Sequence, residues 1–225
     1  PCRWNFALVE EKRPGFNLEI IEHERNTQIL SSKDLCLIHR LKEYVDAGVN
    51  AFKLEGRMKS LYYAANITRM YRLALDTLHS GNDPGIHAEL YDRELDLVSH
   101  RPYTDNLFNE FTTMENRTLP YIKKAEFLGY ITEADGSSVA TVKPFNPVNT
   151  GDTLDIIYPV TGGRILDATV TVNAIYSAAR EITDNMAKPG ELARITFSGR
   201  VYDHGILRKR KESQGPSVRK ASVYG

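Results

Sequence analysis

The apolar positions of residues 1–81 form two short runs, followed by a helix, a strand and a second helix. Residues 6–9 (FALV) suit a strand, and residues 18–21 suit another beyond the turn at 10–15 (EEKRPG). Ser31-Ser32-Lys33-Asp34 predicts a helix start, because Ser31 and Asp34 stand at capping-box spacing, with Asp in place of the usual Glu. Leu35, Ile38, Leu41, Tyr44 and Val45 continue that helix at its own spacing, and Gly48 stops it. Residues 49–54 (VNAFKL) then read as a buried strand with a sharp exit at Glu55-Gly56-Arg57. A second helix is expected over 60–80, with Leu61, Ala64, Ala65, Thr68, Tyr71, Leu75 and Leu78 along one stripe and Gly81 at its end. This rhythm belongs to a parallel α/β sheet or barrel, where functional loops sit at the C-terminal ends of strands. Glu55, Arg57 and Lys59 occupy such a loop.

Periodicity weakens over 82–124. A short helix fits 90–98 and a loop fits 99–108, so this stretch is expected to be a crossover linker with little core of its own. From 125 onward the period becomes two. Residues 127–131, 139–142, 153–157, 168–175 and 192–197 are β-branched or alternating, and turns at Asp135-Gly136, 149–152 (NTGD), Gly162-Gly163 and Pro189-Gly190 separate them. Short strands at this spacing predict a small β-barrel over 125–208. The stretch Gly151-Asp152-Thr153-Leu154-Asp155-Ile156 resembles the barrel that forms the second domain of translation elongation factors, a likeness of fold alone. Residues 209–225 read as a flexible basic tail. Arg208-Lys209-Arg210-Lys211 and Arg219-Lys220 are opposed only by Glu212, and such a run is either a solvated tail or an arm that grips phosphates. Arg208 and Arg210 are therefore candidate substrate-binding residues.

Composition narrows the function classes. The 225 residues are 41% hydrophobic and 26% charged, as in a globular protein. The 29 Lys and Arg balance the 29 Asp and Glu, which excludes a strongly basic nucleic-acid wrapper but leaves room for a local basic patch. No apolar run reaches the roughly 18 residues of a membrane-spanning helix. The chain opens Pro1-Cys2-Arg3-Trp4 without a Met, which predicts that the true start lies upstream and that a site carried here is part of a larger one.

Familiar catalytic strings are missing: no Gly-x-Ser-x-Gly elbow, no His-Glu-x-x-His and no phosphate-cradling glycine loop. The six histidines are scattered. The two cysteines, Cys2 and Cys36, are more informative. Cys36 falls in the first turn of the first predicted helix, a placement that lowers a thiol's pKa and favours a metal-ligating thiolate. The competing reading is that both are small buried residues. Two thiolates are fewer than the roughly four of an iron–sulfur cluster.

Several uncommon strings occur in order: Pro1-Cys2-Arg3-Trp4, Leu8-Val9-Glu10-Glu11-Lys12-Arg13-Pro14-Gly15, Ser32-Lys33-Asp34-Leu35-Cys36, Phe52-Lys53-Leu54-Glu55-Gly56-Arg57-Met58-Lys59-Ser60, then Tyr62-Tyr63 and Tyr71-Arg72. Together they resemble the collagenase-like peptidase U32 family, densely over 1–80 and more weakly through Ser99-His100-Arg101 into the C-terminal barrel. The pattern departs after Arg101, where Pro102-Tyr103-Thr104-Asp105-Asn106-Leu107 replaces the family's glycines. The resemblance implies α/β plus all-β architecture: the C-terminal part of a (β/α) TIM-like barrel, then a small C-terminal β-barrel. The appended barrel points to the branch that hydroxylates tRNA, forming 5-hydroxyuridine at the wobble position without molecular oxygen and with prephenate as co-substrate. It also implies a 4Fe–4S cluster, with Cys2 and Cys36 as two ligands and two further cysteines upstream. The implied partner is tRNA rather than DNA or a membrane, and the implied location is cytoplasmic.

On this reading Arg57 and Lys59 hold an anionic group, and Glu55 orients Arg57 or handles protons. The competing view is an ion pair between Glu55 and Arg57 that braces the loop. Lys33 joins the substrate-binding set, and Tyr62 and Tyr63 are candidates to stack a base unless they belong to the core. One alternative is a collagenase-like protease with Cys36 as nucleophile and His39 as its base. Another is a non-catalytic RNA-binding module, the residues 1–225 alone being inactive.

Overall fold

The computed structural model describes residues 7–9, 11–12, 17–19, 21–22, 27–28, 31–105, 114–115, 122–177 and 183–211. The chain forms two compact units, Pro1–Lys123 and Lys124–Gly225.

In the first unit, Ala7–Val9 pairs antiparallel with Asn17–Glu19, close to where the two early apolar runs were expected. The expected helix start at Ser31–Asp34 is extended backbone instead. Ser31–Ser32 pairs with Met114–Glu115, and β1 (Asp34–Leu35) pairs in parallel with β2 (Tyr103–Thr104). The Asp34 side chain does not cap a helix, because it binds Arg101 and Lys59. Helical backbone begins only with a 3-10 turn at Ile38–Arg40, which leads into α1 (Leu41–Asp46). Residues 49–54 form no ladder with any described segment, and Val49 and Leu54 are exposed. A strand is defined by its partner, and apolar content alone does not supply one.

Helix α2 (Leu61–His79) starts where the Ser60 side chain accepts the Tyr63 N–H, and it is followed by Gly81 at φ +80°. Its buried side is not the expected stripe. Leu61, Ala64 and Thr68 are exposed, whereas Tyr62, Asn66, Ile67, Arg69, Met70, Leu73, Ala74 and Thr77 are buried. Hydropathy could not show this, because the buried polar groups depend on the next helix. Residues 84–87 turn the chain into α3 (Ala88–Leu97), where Arg69 Nη2 lies 3.1 Å from Glu94 Oε2. Arg69 Nε donates to Asn66 Oδ1, and Asn66 Nδ2 donates to the Glu94 carbonyl. With Tyr91, Leu95, Leu97 and Val98 also buried, the stretch expected to be a bare linker contributes core to this unit. No described helix is long and apolar enough to cross a membrane.

The second unit is a closed antiparallel barrel. Its strands are β3 (Ala125–Ala134), β4 (Val139–Pro144), β5 (Thr153–Ile157), β6 (Ala168–Ser177), β7 (Ala193–Phe197) and β8 (Ile206–Arg210). They run in the order β5-β8-β3-β4-β7-β6, and pairing of β5 with β6 closes the circle. Alternation delivers Leu128, Ile131, Val142, Leu154, Ile156, Val172, Ile175, Ile195, Phe197 and Leu207 to one core. Gly129 is required where β3 meets β4: a Cβ there would lie 2.5 Å from the Lys143 carbonyl oxygen. The expected turn at Asp135-Gly136 is present, with Gly136 at φ +83°.

The sixth strand corrects the reading of the tail. Arg208 and Arg210 are strand residues of β8, and Arg208 is 1% exposed. Register sets Arg208 opposite Asp155 of β5. Asp155 Oδ2 accepts from Arg208 Nε at 3.3 Å and Arg210 Nε at 2.7 Å, while Oδ1 accepts from Thr169 Oγ1. The charge run looked like a solvated arm because its counter-charge lies more than fifty residues away. Arg208 is therefore part of the barrel, unavailable to a phosphate; residues 212–225 lie outside the described residues.

Burial alone would raise the Asp155 carboxyl, but hydrogen bonds from Arg210 and Thr169 and the charges of Arg208 and Arg210 hold it below the usual carboxylate range. Its contribution to stability is therefore complete above that range and lost as pH falls through the lowered value. Asp155→Ala, which strands the buried Arg208 charge, is expected to cost about 3 kcal/mol in urea denaturation at pH 7. The difference from the wild type should shrink below about pH 4. An equal urea midpoint for both proteins at pH 7 would refute the pairing.

Candidate functional site

Two segments, far apart in sequence, build a cleft in the first unit. β1 places Asp34 and then Cys36 beside β2: the Asp34 N–H donates to the Pro102 carbonyl and the Cys36 N–H to the Thr104 carbonyl. Across the cleft runs the irregular segment ending in Glu55-Gly56-Arg57, whose turn is closed by the Arg57 N–H donating to Glu55 Oε1 at 3.1 Å. The Lys59 N–H returns to the Gly56 carbonyl, and the Tyr63 ring packs so close to Gly56 that a Cβ there would meet it at 3.3 Å. The enclosed space is about 550 Å³.

One carboxylate organises this wall. Asp34 Oδ1 accepts from Arg101 Nε at 3.0 Å, and Oδ2 accepts from the Arg101 backbone N–H at 3.1 Å and Lys59 Nζ at 3.3 Å. Lys59 Nζ also donates to the Ser99 carbonyl and sits 5.0 Å above the centre of the Tyr63 ring. Burial would raise the Asp34 carboxyl, but the Arg101 N–H and the Lys59 and Arg101 charges hold it below the usual range. Lys33, Lys53, Arg57, Lys59 and Arg101 line the cleft against the two carboxylates Asp34 and Glu55. The surplus of cations suits an anionic ligand.

The second feature is the setting of Cys36. Its thiol is free and half-buried, 3.9 Å from the Tyr71 hydroxyl. The same hydroxyl oxygen accepts the Leu37 N–H at 3.1 Å. Cys36 does not lie in a helical first turn, and burial raises its thiol above the ordinary value instead of lowering it. Burial also raises the Tyr71 and Tyr103 hydroxyls, so both stay protonated at neutral pH. Among the described residues no three His, Cys, Asp or Glu side chains converge as a metal site.

The residues expected from sequence divide clearly. Cys36, Lys33, Glu55, Arg57, Lys59 and Tyr63 all line the cleft. Glu55 makes no ion pair with Arg57; it holds the Arg57 backbone and leaves the guanidinium exposed. Tyr62 is 3% exposed and belongs to the core, so it cannot stack a base. Arg208 and Arg210 lie in the other unit, on β8. Cys2 lies outside the described residues. His39 makes no hydrogen bond to Cys36, whose sulfur is in reach of Tyr71; its Nε2 is 2.7 Å from Asp92 Oδ1, and Cys36, His39 and Asp92 line a second cavity. Sequence reasoning missed Asp34, Tyr71, Arg101 and Tyr103. Asp34 stands two residues before Cys36 and Arg101 in the Ser99-His100-Arg101 string, and those positions were the available signal.

The family described as peptidase family U32 matches residues 1–118, more than half of the chain, and the chain belongs to that family. It is similar to tRNA hydroxylation protein P of Escherichia coli, 30% identical over 158 residues that cover 68% of this chain and 34% of that protein. It is also similar to tRNA hydroxylation protein P1 of Bacillus subtilis, 24% identical over 215 residues, or 93% of this chain and 50% of that protein. A collagenase of Porphyromonas gingivalis is 32% identical over 107 residues, 48% of this chain and 25% of that protein. The chain thus spans about a third to a half of the length of the first two relatives.

Asp34→Asn is expected to release Lys59 and Arg101 and to lower stability by about 1–3 kcal/mol in urea denaturation. In an Arg101→Gln background the same substitution should cost less, because the shared partner is already gone. Strictly additive costs would mean that the two residues do not act together.

Proposed function

We propose that this chain belongs to an iron–sulfur enzyme that hydroxylates tRNA, with the cleft as the place where an anionic substrate group meets the cluster. The observation that carries this reading is the convergence on one cleft of Cys36 with Lys33, Arg57, Lys59 and Tyr63, residues scattered over thirty positions of sequence. Its context is a family whose members named tRNA hydroxylation protein match this chain. The finer chemistry, 5-hydroxyuridine formed without molecular oxygen and with prephenate as the hydroxyl source, belongs to the same proposal.

The donor chemistry at Cys36 fits such a cluster. A thiol is a soft ligand suited to iron–sulfur centres, and this one faces the cleft with its backbone fixed on both sides by Thr104 and Tyr71. Cys36, together with Cys2, would hold the group, which when bound supplies one-electron chemistry. The chain's own residues do the rest. Arg57, with its guanidinium exposed at the cleft, takes a phosphate or carboxylate. Lys59, tied to Asp34 and Ser99, contributes charge from a fixed position. Glu55 keeps the Arg57 turn closed. Tyr63 offers a ring face beside the cation Lys59, a surface on which a base can stack.

The peptidase reading is less well served by this geometry: Cys36, His39 and Asp92 line one cavity, but the Cys36 sulfur is in hydrogen-bond reach of Tyr71 and not of the His39 ring. The test is iron and acid-labile sulfide on the complete protein purified without oxygen. About four irons per chain are expected, lost in Cys36→Ala. A protein free of iron, with Cys36→Ala indistinguishable from it, would reject the cluster and return attention to proteolysis.

A further inference from the structure

Tyr71 entered the sequence reading as one residue of a helical stripe and of the Tyr71-Arg72 string, with no role at the site, yet it is the one described side chain in hydrogen-bond reach of the Cys36 sulfur. A phenol has one O–H to donate and an oxygen that also accepts. The Tyr71 oxygen accepts the Leu37 N–H, so that function is taken. Its single proton remains, and the acceptor within reach is Cys36 Sγ at 3.9 Å. In the structure either atom can be the donor; held as a metal-bound thiolate, Cys36 would have no proton of its own, and Tyr71 would donate to the sulfur.

The contact is also built to persist. Tyr71 projects from α2, the longest described helix of the unit, while Cys36 is held through its own N–H by Thr104 and through the next N–H by Tyr71 itself. The one hydroxyl therefore locates the cysteine backbone and addresses its sulfur.

We propose that Tyr71 is the positioning residue of the Cys36 ligand and that its O–H···S hydrogen bond raises the reduction potential of the cluster bound there. The inference rests on the iron–sulfur reading above. Its physical basis is general: reduction adds negative charge that spreads onto the ligating sulfurs, and a donor aimed at one of them favours the reduced state. Tyr71 does not touch the reacting atoms and acts through Cys36 alone.

The experiment compares three forms of the complete protein, purified without oxygen: wild type, Tyr71→Phe, and a form with 3-fluorotyrosine at position 71. Fluorine makes the phenol a stronger donor without changing its shape appreciably. Iron per chain and the midpoint potential of the cluster are measured. The expected result is equal iron in all three, a lower potential in Tyr71→Phe and a higher one in the fluorotyrosine protein. A purely structural role for Tyr71 does not produce shifts of opposite sign. Unchanged potentials, or shifts of the same sign, overturn the proposal and leave the iron–sulfur reading standing. Absence of iron from the wild type overturns both. Should Tyr71→Phe lose its iron because Leu37 N–H has lost an acceptor, the fluorotyrosine protein decides alone: a raised potential supports the hydrogen bond, and an unchanged or lowered one refutes it.

Discussion

The cleft wall of the first unit depends on a single carboxylate. Asp34 sits on a two-residue strand, too short to hold its place by ladder hydrogen bonds alone. Its side chain supplies the missing constraint by taking both Lys59, in the bend before α2, and Arg101, just before β2. Hydrogen bonds to charged groups contribute more than neutral ones, and this carboxylate is largely shielded from water. Chain segments that share no periodic structure are thereby fixed around one cleft. Cys36, two residues along, inherits its position from the same arrangement.

The barrel follows a similar rule with a different outcome. Asp155 binds two arginines of β8, and those contacts help to seat the strand on which barrel closure depends. Here charge and strand pairing work together, because register already brings Asp155 opposite Arg208. In the cleft, charge replaces strand pairing.

Legibility in the sequence tracked the range of the interactions. The barrel strands were readable because period-two alternation is local, and Gly136 announced its turn through a conformation that few other residues adopt. Helix α2 was readable from Ser60 to Gly81, but its inward face was not. Asn66 and Arg69 look like surface residues until Glu94 of α3 is known to face them. The same limit disguised Arg208 as part of a tail. Six of the expected site residues line one cleft, and a resemblance could bring them together because it carries the result of long-range packing that composition does not. Asp34 and Arg101 were passed over because each takes its meaning from the other, sixty-seven positions away.

The cleft also shows why charge count alone misleads. Five cations line it, but they are not equivalent. Lys59 and Arg101 share Asp34, so an incoming anion gains less from them than their formal charges suggest, while still meeting them in a fixed place. Arg57 is different: its backbone is held by Glu55, yet its guanidinium stays exposed. An anion in the cleft would meet Lys59 and Arg101 as a preset background and Arg57 as an exposed partner. Preset charges need not reorganise when a ligand arrives, and this spares the entropy of ordering several long side chains at once. The exposed Arg57 and the fixed Lys59 and Arg101 thus stand on the same cleft as Cys36.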